Sequence, residues 1–148
     1  YTAHFHNDGN NANRNGIIIS AGADDASGTT YYLVGHDGDG GAVGWIANAS
    51  GTFALTDTSD VSLKDNIRNT EINGLTTVNS MKVRDFEWKK SGDTAIAGFV
   101  AQELNESFSP SVSANSEGLL GVSRERLVPV LVKAIQELSA KVTALENA

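Results

Sequence analysis

The sequence changes character near residue 59, and this change limits what the chain can fold into. Residues 1–58 hold ten of the fifteen glycines, and six aspartates against one arginine. Residues 59–148 hold both prolines, and ten basic side chains there stand against twelve acidic ones. A short glycine-rich stretch buries little apolar surface alone, because isolated hairpins are marginal in water. We therefore predict two parts, residues 1–58 and 59–148, of which the first needs partners.

The first part carries short apolar runs between clusters of turn-forming residues. β-Branched and aromatic residues between Gly, Asp and Asn turns are typical of strands and hairpins. The predicted strands are residues 17–19, 31–34, 43–46 and 52–55. His4 and His6 alternate on a further strand-like stretch, but we predict no metal site there.

The second part mixes helical and strand patterns. Apolar residues at three-residue steps predict a helix, and apolar–polar alternation predicts strands. In order, the predictions are helix 71–81, strand 83–88, buried strand 96–100, helix 102–106, polar loop 113–118 and strand 119–122. The predicted fold class is therefore α+β, with a β-rich first part and a small mixed α/β module that ends in a long helix.

This last helix is predicted from about residue 124 to 146, with Ser123 as its N-cap. Pro129 is tolerated only near the start of a helix. Apolar residues recur at alternating steps of three and four, which is the heptad pattern of a coiled-coil seam. The seam has Val128, Ile135 and Val142 at a, and Leu131, Leu138 and Leu145 at d. So short a repeat is equally consistent with one amphipathic helix packed on its own domain.

Composition excludes several classes of function. The net charge is −7 and the isoelectric point about 4.8, so neither nucleic acid nor an anionic membrane is an expected partner. The lack of cysteine excludes a thiol nucleophile, and no cofactor is predicted. No run of eighteen apolar residues occurs, so no membrane span is predicted. Because the chain begins without Met or a signal-like segment, we expect it to be part of a longer protein.

The stretch from Ser59 to Ile67 joins the two parts and pairs a serine with a lysine five residues later. A serine hydroxyl attacks only after a base removes its proton. Every histidine lies upstream, so lysine is the better candidate base, provided that burial favours its neutral form. A tight turn could bring the Lys64 amine to the Ser59 hydroxyl. Asp60 could orient Lys64 or hold its charge.

The position of the serine favours attack on the carbonyl before it. An N-to-O acyl shift at Thr58–Ser59 gives an ester that water can open. Attack by Ser59 on its own carbonyl needs a four-membered ring, so cleavage at Ser59–Asp60 would require a nucleophile from another subunit or water. The alternative is purely structural, because Ser-Asp is often a cap or turn and a nearby lysine is often solvated.

Further motifs accompany this stretch. They are Phe86-Glu87-Trp88, residues 98–104 and residues 127–138. Together with Ser59-Asp60 and Leu63-Lys64, they make residues 59–148 resemble the C-terminal intramolecular chaperone domain of phage tailspikes and tail fibres, the endosialidase-type self-cleaving domain. Where this chain has Val61-Ser62, that family commonly has a basic or polar pair.

The resemblance implies a function and an assembly. Ser59 matches the family's cleavage-site serine, and Lys64 the lysine of its Ser–Lys dyad. Members are homotrimers whose chaperone part assembles the β-rich fibre before it and then cuts itself off from that fibre, its substrate. Residues 1–58 would thus be the end of an intertwined fibre or tailspike shaft. The precursor would assemble in the host cytoplasm for the virion tail.

Two other functions stay open. One is a trimeric assembly module or receptor-binding tip of a viral fibre that does not cleave. The other is an ordinary trans-acting hydrolase, although no suitable base for one is recognisable.

Overall fold

The computed structural model has two units, Tyr1–Ile67 and Arg68–Ala148, and describes residues 17–25 and 27–148. His4 and His6 lie outside the described residues. The stretch from Ser59 to Lys64 belongs to the first unit, so the division at residues 58/59 stays a prediction from sequence pattern. The strand predicted over residues 17–19 is wrong, since these residues form no strand and their isoleucine side chains are exposed.

The first unit is built on a three-stranded antiparallel sheet. Its strands, in the order β1-β2-β3, are Thr29–His36 (β1), Ala42–Ala49 (β2) and Thr52–Asp57 (β3). They confirm the predicted strands 31–34, 43–46 and 52–55. β2 and β3 are joined by Ser50 and Gly51, whose φ angles of 47° and 82° are the positive values that a two-residue hairpin turn requires.

The sheet leaves much of its apolar surface uncovered within the chain. Leu33, Ile46 and Leu55 are neighbours across the three strands. Leu33 is 59% exposed and Leu55 is 78% exposed. Tyr31 and Trp45 meet edge to face at 5.9 Å between ring centroids, and Ala47 of β2 is buried.

The second unit alternates short helices and hairpins before one long helix. Its elements are α1 (Gly74–Ser80), β4 (Arg84–Glu87), β5 (Thr94–Gly98), α2 (Ala101–Phe108), β6 (Val112–Ala114), β7 (Leu120–Val122) and α3 (Leu127–Glu146). β4 pairs with β5, and β6 with β7, both antiparallel. The chain is thus mixed α/β with a long C-terminal helix, as the sequence predicts.

The bounds of the last helix are confirmed. A single 3-10 turn, Arg124–Arg126, leads into α3 and gives a helical segment of 23 residues. Pro129 is the third residue of α3 and lies in its first turn, where proline is tolerated. Ser123 occupies the predicted N-cap position, but its side chain makes no capping hydrogen bond.

α1 and α3 pack closely because α1 begins with a glycine. A Cβ atom at Gly74 would lie 2.7 Å from the carbonyl carbon of Lys133 and 2.9 Å from the Cα of Ala134. No side chain fits in that space. The face of α3 that turns inward buries Leu127, Val130 and Ala134, each at most 6% exposed.

Several of the smaller elements differ from the prediction. α1 is shorter than residues 71–81, because Asn73 caps it by accepting from the Thr76 N–H at 2.8 Å. The strand predicted as buried over 96–100 runs instead over Thr94–Gly98, and Ile96 is 80% exposed. Its sheet has only two strands, which leaves Ile96 uncovered. Part of the predicted polar loop 113–118 forms β6.

Candidate functional site

The residues from Ser59 to Lys64, here called the junction turn, follow directly on the sheet. β3 ends at Asp57, and Thr58 is held against β2 by two hydrogen bonds. The Thr58 N–H donates to the Val43 carbonyl at 3.1 Å, and its hydroxyl donates to the Ala42 carbonyl at 2.8 Å. The residue before Ser59 is therefore held at the start of the central strand, β2.

A single turn of 3-10 helix, Val61–Leu63, reverses the chain within the junction turn. The Leu63 N–H donates to the Asp60 carbonyl at 3.2 Å, and the Lys64 N–H donates to the Val61 carbonyl at 3.1 Å. Asp60 is the N-cap of this turn. Ser and Asp in such positions commonly build turns of this kind by bonding to nearby backbone groups.

The turn brings the predicted pair together. The Lys64 amine donates to the Ser59 hydroxyl at 2.6 Å and to the Ser59 carbonyl oxygen at 2.5 Å. A nucleophile and its base must lie within about 2.6–3.2 Å of each other for a proton to pass between them. The distance between Ser59 Oγ and Lys64 Nζ meets this requirement.

Asp60 contacts Ser62 and not the lysine. One carboxylate oxygen, Oδ1, accepts from the Ser62 hydroxyl at 2.6 Å and from the Ser62 N–H at 2.8 Å. These two bonds, followed by the nearby charge of Lys64, hold the pKa of Asp60 below its usual value. Asp60 therefore supports the site by shaping the turn. The sequence analysis did not identify Ser62 as the hydrogen-bond partner of Asp60.

The junction turn is open to solvent within the single chain. Ser59 and Lys64 are exposed, and so are the apolar side chains beside them. Val61 is 70% exposed, Leu63 67% and Ile67 68%. A lysine acts as a base where water is excluded, because burial disfavours the ammonium form. The contact between Ser59 and Lys64 is thus formed, but both residues stay exposed in the described part of this chain.

α3 presents a second candidate site, the row of a and d side chains. All six are exposed within the chain, from 44% to 77%. They are Val128, Leu131, Ile135, Leu138, Val142 and Leu145. The buried side chains of α3 are different ones, Leu127, Val130 and Ala134. α3 therefore packs on its own unit and still leaves the predicted seam free for another helix.

Glu137 joins α1 to α3, a contact that the sequence analysis missed. Its two carboxylate oxygens accept from the backbone N–H groups of Leu75 at 2.9 Å and Gly74 at 3.1 Å. These bonds, with the Lys133 ammonium 3.5 Å away, hold the pKa of Glu137 below its usual value. The partners are more than sixty residues apart in sequence, so no local pattern could have found them.

Comparison with protein families agrees with the sequence resemblance. Residues 59–113 match the family model described as chaperone of endosialidase. The match supports an endosialidase-type chaperone domain in the C-terminal part of the chain. The family model also carries the name of a peptidase family, which suggests a peptidase-related domain. The first matched residue is Ser59.

Other comparisons add little. A search of curated proteins finds no match to the chain. Within residues 17–25 and 27–148, none of the helices is both long and apolar enough to cross a membrane.

Proposed function

We propose that this chain is an intramolecular chaperone that trimerises and folds a phage tail fibre or tailspike, and that it is released by cutting itself at Ser59. The family match supports the chaperone role. The observation that carries the self-cleavage is the distance of 2.6 Å between the Lys64 amine and the Ser59 hydroxyl. This contact lies where the matched domain begins, which is where a domain that releases itself must cut.

The chemistry follows from these positions. Lys64, once neutral, takes the proton from the Ser59 hydroxyl, and the oxygen attacks the carbonyl carbon of Thr58. The carbon–nitrogen bond breaks, and the freed amine of Ser59 takes the proton back from Lys64. Water then opens the ester, which restores the Ser59 hydroxyl and leaves a carboxylate on Thr58.

The contact with the Ser59 carbonyl bears on the scissile bond. That oxygen belongs to the Ser59–Asp60 peptide, and the Lys64 amine lies 2.5 Å from it. A charge there would polarise the Ser59–Asp60 bond for a nucleophile from another subunit or water. Thr58–Ser59 stays the preferred bond, because its cleavage needs no group beyond the dyad and water.

The homotrimer is the part of the proposal that links folding to cleavage. The exposed a and d side chains of α3 would bring three chains together and fix their register. Burial of the apolar side chains beside Lys64 in the assembly would partly desolvate its amine and so favour the neutral form that can act as a base. Residues 1–58, as the end of the fibre, would be the segment that the chaperone part helps to fold and also the segment from which it cuts itself off. Release of the chaperone part then makes folding of the fibre irreversible, so that the lifetime of the folded fibre depends on its unfolding rate.

The proposed location follows from this cycle. The precursor would assemble in the host cytoplasm, the fibre or tailspike would enter the virion, and the chaperone part would be released.

A denaturing gel of the chain, expressed with its natural upstream sequence, tests the self-cleavage. We expect two bands, the smaller corresponding to residues 59–148. Ser59→Ala and Lys64→Ala should each leave one band, because each removes a member of the dyad. Lys90→Ala, which changes an exposed lysine of the β4–β5 turn, should still cleave. The first residue of the released piece, Ser59 or Asp60, identifies the scissile bond.

A non-cleaving trimeric tip is the second candidate function, and the exposure of Lys64 favours it. A lysine in open solvent is a poor base. Wild-type protein that forms trimers and stays whole would exclude self-cleavage and support this alternative.

A further inference from the structure

Two partners are available to the Asp60 carboxylate in the junction turn, and it bonds to only one of them. Ser62 donates to Asp60 Oδ1 through both its hydroxyl and its N–H, at 2.6 Å and 2.8 Å. Lys64 follows two residues later and gives its hydrogen bonds to Ser59. No described carboxylate lies within 4.0 Å of the Lys64 amine, although Asp60 feels its charge.

The alternative pairing would be harmful to the proposed reaction. A carboxylate bound to a lysine stabilises the ammonium form. An ammonium ion cannot take the proton from Ser59, and a lysine turned toward Asp60 would leave the hydroxyl. A turn with an Asp60–Lys64 ion pair could therefore fold well and cleave poorly.

The hydroxyl of Ser62 opposes that pairing. It occupies the carboxylate oxygen with a short bond and keeps it directed into the turn. The other acidic side chains of this segment are Asp57 and Asp65, and neither forms a salt bridge with Lys64 in the structure. Residues 59–64 are all exposed, and Asp60 is the carboxylate whose pKa is lowered in part by the charge of Lys64.

We propose that Ser62 is a positioning residue for self-cleavage, whose hydroxyl holds the Asp60 carboxylate away from Lys64 and so leaves the lysine free to act on Ser59. This inference rests on the proposed function and adds a role for a residue outside the dyad. It also assigns a reason for a serine at this point of the turn.

The test measures the rate of cleavage against pH in the full chain with its natural upstream sequence. In Ser62→Ala the carboxylate keeps only its bond from the backbone N–H of residue 62, so that less holds it in the turn and it can rotate toward Lys64. We expect cleavage at pH 7 to slow about tenfold, and the rising limb of the pH–rate profile to move up by about one pH unit. Ser62→Thr keeps a hydroxyl at the same place and should restore the wild-type profile.

The Asp60→Asn background provides the matched comparison. Asparagine can still cap the turn, but it carries no charge to pair with the lysine. Removing the Ser62 hydroxyl in this background should therefore leave the pH–rate profile of Asp60→Asn unmoved. This comparison stands even where Ser62→Ala alone assembles poorly, because it asks whether the effect of the hydroxyl depends on the carboxylate.

The outcomes separate the two proposals. If wild-type protein cleaves and Ser62→Ala shows the same rate and profile, the role of Ser62 is refuted while the self-cleavage stands. An equal slowing at every pH, without rescue by threonine, would also refute it, because that is the effect of a damaged turn. If wild-type protein does not cleave at any pH, the proposed function itself fails and the inference falls with it.

Discussion

Leu138 is the position where the proposed seam of α3 can be tested most directly. It is a d residue and is 51% exposed within the chain, so about half of its side chain remains to be covered by another helix. The change Leu138→Asp replaces this apolar surface with a carboxylate. Because Leu138 belongs to the exposed row and not to the buried face of α3, the fold of the single chain should survive the substitution.

The expected size of the effect follows from that exposure. Burying a whole leucine side chain contributes about 1.5–3 kcal/mol, so the uncovered half contributes about 0.8–1.5 kcal/mol in each chain. Over three chains the loss is about 2–5 kcal/mol. Since about 1.4 kcal/mol corresponds to a tenfold change, association should weaken by about 30-fold to 3,000-fold. Three carboxylates near one axis would weaken it further.

Sedimentation velocity over a range of protein concentrations measures this change. We expect wild-type protein to form trimers and Leu138→Asp to remain monomeric at the same concentration. Gln136→Asp is the control, because it adds the same charge on the same helix about 160° around the axis. A Leu138→Asp protein that still forms trimers with wild-type affinity would refute the placement of the seam.

Two further predictions concern the contact of α1 with α3. The pKa of Glu137 is lower in the folded chain than its ordinary value of 4.5, so its bonds to Leu75 and Gly74 stabilise the fold fully at pH values above 4.5. This contribution to stability is lost as the pH falls through the lower pKa of the folded state. Thermal melting between pH 7 and pH 3 should show a smaller loss of stability in Glu137→Gln than in wild type; equal losses would exclude this role. Gly74→Ala should destabilise the chain in urea unfolding, because overpacking costs about 1–3 kcal/mol and exceeds the helix-propensity gain of about 1 kcal/mol. Asn79→Ala, at an exposed site of α1, should show only the stabilisation that comes from higher helix propensity. A stabilised Gly74→Ala protein would contradict the close approach to Ala134.

Patterns that repeat over several residues allowed the larger elements to be predicted. The three strands of the first unit lie between turn residues whose backbone preferences are strong, and the heptad spacing of α3 runs through most of its length. Both signals depend on neighbours in sequence. The same holds for the junction turn, where a spacing of five residues and a one-turn reversal suffice to bring Lys64 to Ser59.

The features that could not be predicted depend on residues far apart or on very short segments. An apolar run has the same sequence pattern whether or not a neighbouring element covers it. The sequence around Ile96 therefore could not indicate that this residue is exposed in a two-stranded sheet. β6 has only three residues, too few for alternation to be recognised. Glu137 looks like any charged residue of an exposed helix until its partners at Gly74 and Leu75 are known.

The candidate site, too, could be predicted only where the signal is local in sequence. The serine and the lysine could be named from their types and spacing. The partner of Asp60 could not, because Ser62 and Lys64 both follow Asp60 closely in sequence and only the conformation of the turn decides between them.

The two rows of side chains on α3 do not overlap, and this gives the helix a practical property. If the exposed a and d residues form the proposed seam, they can be exchanged without changing the buried residues that hold the helix on its own unit. A designer who wished to make two such proteins assemble separately would rewrite the a and d positions alone. Natural variants of such a chain that are present in one cell could likewise differ at the a and d positions alone.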